Sequence, residues 1–211
     1  MLGYTEQPTP PVDRRTAHRD ATKGEILQAA WTLARAEGLT GFSLRDLAAS
    51  VGMRAPSLYQ YFPSKHAIYD ALFGQGTADA LAAIGAEVRE RETRAVVRGI
   101  AHRFFVFATS DPVRAQLLFQ RPIPGFQPSP ASYAPAVALN TWVAARLGEH
   151  GITDPDAMDM FSALVGGLIA QQLANEPGGT RWARLIDRAV DMFIETMSDQ
   201  SYAEQAKGAE L

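Results

Sequence analysis

The side chains of this chain best suited to act on another molecule lie close together. Pro56, Ser57, Tyr59, Gln60 and Tyr61 fall within one short stretch, with Arg45, Arg54 and Lys65 flanking it. Amide, hydroxyl and phenol groups exchange hydrogen bonds with base edges and phosphate oxygens, and the cations neutralise phosphate. The set contains no nucleophile paired with a base. The whole chain has four histidines and no cysteine, which excludes a thiolate nucleophile, a disulfide framework and a thiolate zinc site. There is no phosphate-binding loop, dinucleotide glycine motif or HExxH pattern. Gly166-Gly167 and Gly178-Gly179 lie in helical sequence with no strand before them. The expectation is a non-enzyme with no cofactor and no metal.

These side chains need a scaffold, and the periodicity supplies one. Ile26, Ala29, Ala30 and Leu33 recur at helical spacing, and Gly38 ends that helix. Ser43 and Asp46 have the spacing of a capping box, with Phe42 and Leu47 placed as a hydrophobic staple around a second helix. Leu44, Leu47, Ala48 and Val51 form its inner face, and Gly52 permits a tight turn. A third helix is expected from Arg54 to Phe62 with Pro56 in its first turn. Ala55, Leu58 and Phe62 point inward, Ala55 lying also at the edge of the outward set, while Ser57, Gln60 and Tyr61 share the opposite face. Two short helices joined by a glycine turn, the second with a polar outer face, make a helix-turn-helix. Such a helix can enter a major groove about 12 Å wide.

The stretch from Gly41 to Lys65 resembles the DNA-binding signature of the TetR/AcrR family, carried by Gly52, Leu58, Tyr59, Phe62 and Lys65 in order; the resemblance extends from Lys23 to Phe73. It implies that Ser57 and Gln60 face base edges, and that Pro56 lies against the groove wall. Tyr59, Tyr61 and Lys65 would meet phosphates, and Arg45 a guanine or a phosphate. Arg54 stands where many members have a small capping residue. An arm bearing Arg14, Arg15, His18 and Arg19 would reach a minor groove or the backbone, or be an inert terminus.

Beyond this motif the chain reads as longer helices. A fourth runs from Ser64 toward Glu90, followed by helices near 93–109, 112–120, 133–148, 155–175 and 180–198, with a proline-rich loop at 121–133. The class is all-α: a disordered arm at 1–21, a helix-turn-helix domain at 22–66, a helical effector-binding and dimerisation domain at 67–200 and a flexible tail at 201–211. Phe161, Val165, Leu168 and Ile169 on one helix, with Trp182, Leu185, Ile186 and Phe193 on the next, are read as a dimer interface or as an internal core. His102, Phe105, Gln116, Phe119, Gln120, Phe126, Trp142 and Met160 are candidates for an effector pocket, whose occupant the aromatic density makes apolar or aromatic. The segment from Gln120 to Phe126 either caps that pocket or is a rigid connector.

The net charge of −3 argues against nucleic acid, but its distribution does not. Residues 1–65 carry eight basic and six acidic groups, and the remainder is acidic. No apolar run is read as approaching the ~20 residues of a membrane helix, and the N-terminus lacks the apolar core of a signal peptide. The resemblance therefore implies a cytoplasmic, bacterial homodimer that binds palindromic operator DNA as a repressor, released by a small effector. An activator or a non-inducible regulator of the same family is the alternative.

Overall fold

The structure is a computed structural model that describes residues 14–86 and 91–208, with side chains to residue 197. Every regular element among the described residues is helical. The chain divides into two compact units, with the division inside one helix, between Ile68 and Tyr69.

The first unit holds α1 (Arg14–Glu37), α2 (Leu44–Ser50), α3 (Ala55–Leu58) and the start of α4 (Lys65–Ile84). Its core is Ile26, Ala30, Trp31, Phe42, Leu47 and Leu58, with Phe62 and Ile68 closing it. Trp31 and Ala34 are buried on α1, whereas Ala29 and Leu33 are only half-buried, so the buried stripe is rotated from the one read in the sequence. The arm expected to be disordered through residue 21 is helical from Arg14 onward. The helix extends upstream because Thr22 is buried and returns its hydroxyl hydrogen to the His18 carbonyl (3.0 Å). Residues 1–13 lie outside the described residues, as do 87–90, where the sequence predicts the end of the fourth helix.

The second unit continues α4 and adds α5 (Thr93–Ser110), α6 (Pro112–Phe119), α7 (Pro130–Glu149), α8 (Ala157–Asn175) and α9 (Ile186–Gly208). The helix α9 runs through most of the stretch expected as a flexible tail, because no proline or glycine interrupts it before Gly208. The helix α7 begins inside the stretch expected to be a loop. Ser129 caps it by accepting the Ser132 N–H (3.2 Å), and Pro130 occupies the first turn, where no N–H is required. Asp70 on α4 holds this cap in place, accepting from the Ser129 N–H (2.6 Å) and from the hydroxyls of Ser129 and Ser132 (both 2.9 Å).

Phe161, Val165, Ile169, Ile186 and Phe193, candidates for dimer contacts, are buried within their own chain; Leu168, Trp182 and Leu185 are half-buried. Phe161 meets Phe193 edge-to-face at 5.7 Å. The internal core accounts for these residues because α5, α8 and α9 pack on one another around the large side chains of α8. Along its middle α8 exposes small residues, Ser162, Ala163, Gly166, Gly167 and Ala170, with Asp159 and Met160 before them and Gln171, Ala174 and Asn175 after. The helix α8 is 19 residues long and passes the length and composition test for a membrane span, a test that packed helices of folded domains also pass. At the α8–α9 turn the buried Gln172 side chain takes the Trp182 N–H (3.0 Å) and donates to the Glu176 carbonyl.

A ladder of ion pairs and a histidine–carboxylate hydrogen bond joins α5 to α9. Arg94, Arg98 and His102, spaced four apart, face Glu195, Asp191 and Asp187, also spaced four apart and running the other way. Arg98 grips Asp191 with Nε (3.0 Å) and a terminal nitrogen, and these hydrogen bonds hold the Asp191 carboxyl below its ordinary range. A carboxylate depressed in the folded state contributes stability above its unfolded pKa and loses it as pH falls through the folded one. Asp191→Asn should therefore lower stability at neutral pH, and the gap to the parent should close as pH drops below about 4. Denaturant unfolding at a series of pH values measures this; a gap constant with pH would rule out the ladder as its source.

Candidate nucleic-acid interface and ligand cavity

The first unit presents its polar side chains from a small, firmly held turn. Ser43 and Asp46 form the capping box: Ser43 Oγ accepts the Asp46 N–H (3.2 Å), and Asp46 Oδ2 accepts the Ser43 N–H (3.1 Å). The Ser43 side-chain and backbone hydrogen bonds hold the Asp46 carboxyl below the usual carboxylate range. At the other end Gly52 has φ +68°, a left-handed conformation that costs other residues about 1–2 kcal/mol. Met53 N–H returns to the Ala48 carbonyl (2.8 Å), which closes the turn.

The helix α3 is one turn long, Ala55–Leu58, and stops short of Phe62, where the sequence predicts its end. After Leu58 the chain tightens, with Gln60 N–H to Ser57 (3.2 Å) and Tyr61 N–H to Leu58 (2.9 Å). Pro63 follows directly and disfavours helix at the residue before it, so the last turn narrows instead of continuing. Arg54 caps α3 without a side-chain hydrogen bond, consistent with its departure from a small capping residue.

Leu58 and Phe62 are buried, and they fix what the other side presents. Arg45, Arg54, Pro56, Tyr59 and Gln60 are exposed, Tyr59 by 50%. Ala55, Ser57 and Tyr61 are half-buried, Ala55 less enclosed than an inward position implies. From α1, Arg19 donates to the Gln60 carbonyl (2.7 Å) and stacks 5.3 Å from the Tyr61 ring centre. No local pattern signals that brace, because its partners are 41 residues apart.

Lys65 is placed differently from its expected phosphate contact. Its ammonium donates to the carbonyls of Phe42 (2.6 Å) and Thr40 (3.1 Å) and lies 4.5 Å from the Phe42 ring centre. Partial burial lowers its pKa from the ordinary lysine value. The lysine ties α4 to the loop before α2, where two carbonyls outside any helix need a donor.

The second unit encloses a cavity of about 550 Å³. Of the eight residues expected there, Phe119 and Gln120 line it. The other six lie elsewhere. His102 is exposed and bonded to Asp187 (2.7 Å), and Phe105 is buried in the core. Gln116 is exposed on α6, and Met160 is 51% exposed on α8. Phe126 packs against Tyr69 and Phe73, and Trp142 packs partly buried on the core beneath Arg146. Tyr69, buried by this packing, has its phenol pKa raised. Phe104, whose ring the sequence also offers to a pocket, lines the cavity, and so do Phe73, Tyr133 and Phe161, which sequence reasoning does not single out for it. A helix face shows which residues turn inward, but not which inward ones meet a void.

Residues 26–72 match the family described as "Bacterial regulatory proteins, tetR family". Over 190 residues the chain is 27% identical to the tetracycline repressor protein class A from transposon 1721 of Escherichia coli, covering 84% of this chain and 83% of that protein. It is 28% identical over 163 residues to the HTH-type transcriptional repressor DrrR1 of Streptomyces coeruleorubidus, covering 76% of this chain and 57% of that one. Its fold is similar to a TetR variant from Acinetobacter baumannii AYE solved in complex with minocycline. There the TM-score is 0.60 at 20% identity, covering 90% of this chain and 99% of that chain.

The geometry separates two roles within the motif. Lys65→Met should destabilise the protein by about 1–2 kcal/mol, because it strands two carbonyls. Gln60→Ala, at an exposed side chain, should change stability by less than about 0.5 kcal/mol. Thermal unfolding of the two variants decides; equal, negligible losses would mean that Lys65 holds nothing together.

Proposed function

Because the chain belongs to the TetR family of bacterial transcriptional regulators, we propose that it is a cytoplasmic repressor. It binds a palindromic operator as a homodimer and leaves it when a small molecule fills the cavity of the second unit. The observation that carries the reading is the outer face around α3. Gln60 and Tyr59 stand exposed beside a buried Leu58, so the short helix is fixed from behind and open in front. Ser57 and Gln60 read base edges, Gln60 pairing with adenine through both ends of its amide. Ala55 and Pro56 lie along the groove wall, and Tyr59, Tyr61, Arg45 and Arg54 bond the backbone. Lys65 acts behind this surface, on the protein itself.

A single head of this size holds one half-site weakly, so two copies spanning successive grooves, about 34 Å apart, are required. The dimer face in this reading is the exposed side of α8 away from the cavity, Met160, Ala163 and Gly167, together with Met192 of α9, which is 60% exposed. Small residues let two helices approach closely, and the flanking methionines supply apolar contact. Repression is favoured over activation by the two relatives above, both of them repressors. Effector release is favoured by the cavity and by the minocycline bound to the similar Acinetobacter baumannii protein. In this scheme α4, in which the division between the units falls, carries the change from cavity to head. A ligand with different affinity for the two states shifts their populations.

Two measurements test the reading. Duplexes selected by the protein should contain an inverted repeat, and Gln60→Ala should lower discrimination at one base pair per half-site by about 1–3 kcal/mol in fluorescence anisotropy. Tyr59→Phe should instead weaken binding to all duplexes alike. Absence of any preferred duplex would remove the repressor assignment. For the dimer, an added side chain at Gly167 meets nothing within 4 Å in the chain, so Gly167→Phe should keep its helical circular dichroism while sedimenting as a monomer. An unchanged dimer would place the interface elsewhere.

A further inference from the structure

The lining of the cavity is divided by polarity along its depth. The floor is Ala80, Leu139, Val143, Phe161, Val165 and Ile169, all buried and all without a polar side-chain atom. Thr77 is the polar residue among them, and its hydroxyl is occupied by the carbonyls of Phe73 (3.0 Å), Gly74 (3.1 Å) and Ser132 (3.1 Å). The hydrogen-bonding side-chain groups that remain, on Gln120, Tyr133, Asn140 and Ser162, belong to exposed residues and form the rim. Aromatic rings stand along the walls, with Phe73 and Tyr133 stacked at 6.1 Å and 15°. Among the described lining residues there is no Asp, Glu, Lys, Arg or His.

From this division we infer that the ligand is an uncharged, flat ring system carrying its hydroxyl, carbonyl or amide groups at one end. The inference rests on the effector reading above and specifies its chemistry. A charge buried here would lose its water and gain no counter-charge, whereas an apolar body gains the whole floor. A ligand carbonyl deep in the cavity would find no donor, because the one hydroxyl hydrogen of Thr77 is already given to backbone carbonyls, so the polar end lies at the rim with Gln120, Tyr133, Asn140 and Ser162. The volume suits a ligand of about three or four rings, within the size range of small-molecule sites.

The test uses three fluorescent probes with one skeleton: pyrenemethanol, pyrenecarboxylate and pyrenemethylammonium. Each is titrated into the intact protein, into Ala136→Phe, which fills part of the cavity, and into Asn140→Lys, which places a cation on its rim. Pyrenemethanol should bind and both charged probes should bind about 100-fold more weakly. Ala136→Phe should abolish binding of pyrenemethanol, and Asn140→Lys should improve pyrenecarboxylate about tenfold while leaving pyrenemethanol within a few fold. If the charged probes bind as tightly as the neutral one and Ala136→Phe removes all three, the cavity is a ligand site but the charge assignment is overturned. If no probe binds, or binding survives Ala136→Phe, both the ligand class and the effector reading of the cavity fall. Unaltered circular dichroism of Ala136→Phe separates a filled cavity from an unfolded chain.

Discussion

The burial of Leu58 and Phe62 behind a single helical turn is the constraint on which the candidate nucleic-acid interface depends. A helix of four residues cannot form by itself, because nucleation costs more than one turn of hydrogen bonds returns. It exists here because Leu58, 1% exposed, is buried in the first unit, where α3 packs against α2. Everything presented outward inherits its position from that burial. Tyr59 and Gln60 need no contacts of their own to be oriented, which leaves them available for a partner. The capping box, the left-handed Gly52 and the lysine tether all serve the same end, since each satisfies backbone groups that this short loop-rich unit cannot satisfy within helices.

The second unit solves a different problem. It must close a core around α8 and yet leave a void of about 550 Å³ in it. The large apolar residues of α8 other than Met160 turn inward, and the small residues along its middle stay outside. The ladder between α5 and α9 adds register rather than depth: three positions four apart on each helix can match only when the helices are aligned one way. The void lies on the other flank, where α4, α6 and α7 contribute its walls and Asp70 ties the start of α7 to α4. A cavity bounded by a helix that also enters the first unit is the physical basis for proposing that its occupancy is felt at the operator.

The family match falls within the first 72 residues and the similarity to solved structures covers most of the chain, but these speak to different things. The motif specifies a task, and a motif's residues recur because a DNA groove has fixed dimensions. The helical body is free to vary, since any packing that buries α8 and leaves a suitable void will serve. This is why the charge and shape of the cavity, rather than relatedness, must define the ligand.

The sequence by itself determined the helix-turn-helix. Gly52, the Ser43-Asp46 cap, Pro56 and Pro63 act over three or four residues, so the elements they start and stop are legible without knowing what packs on what. It determined the helical class in the same way, and it set Ser57, Gln60 and Tyr61 outward by their spacing from Leu58 and Phe62, of which the structure leaves Gln60 exposed and Ser57 and Tyr61 half-buried. Only the tertiary structure decided that Lys65 is a tether and not a surface cation, that Arg19 braces Gln60 and Tyr61, and that His102 answers to Asp187 rather than to a ligand. It also decided that Phe161 and Phe193 pack within their own chain. Each of these pairs is between 23 and 85 residues apart in sequence. Helical periodicity says that a face is apolar; whether that face meets a neighbour, a void or a second copy depends on how the helices stack, which no local pattern encodes.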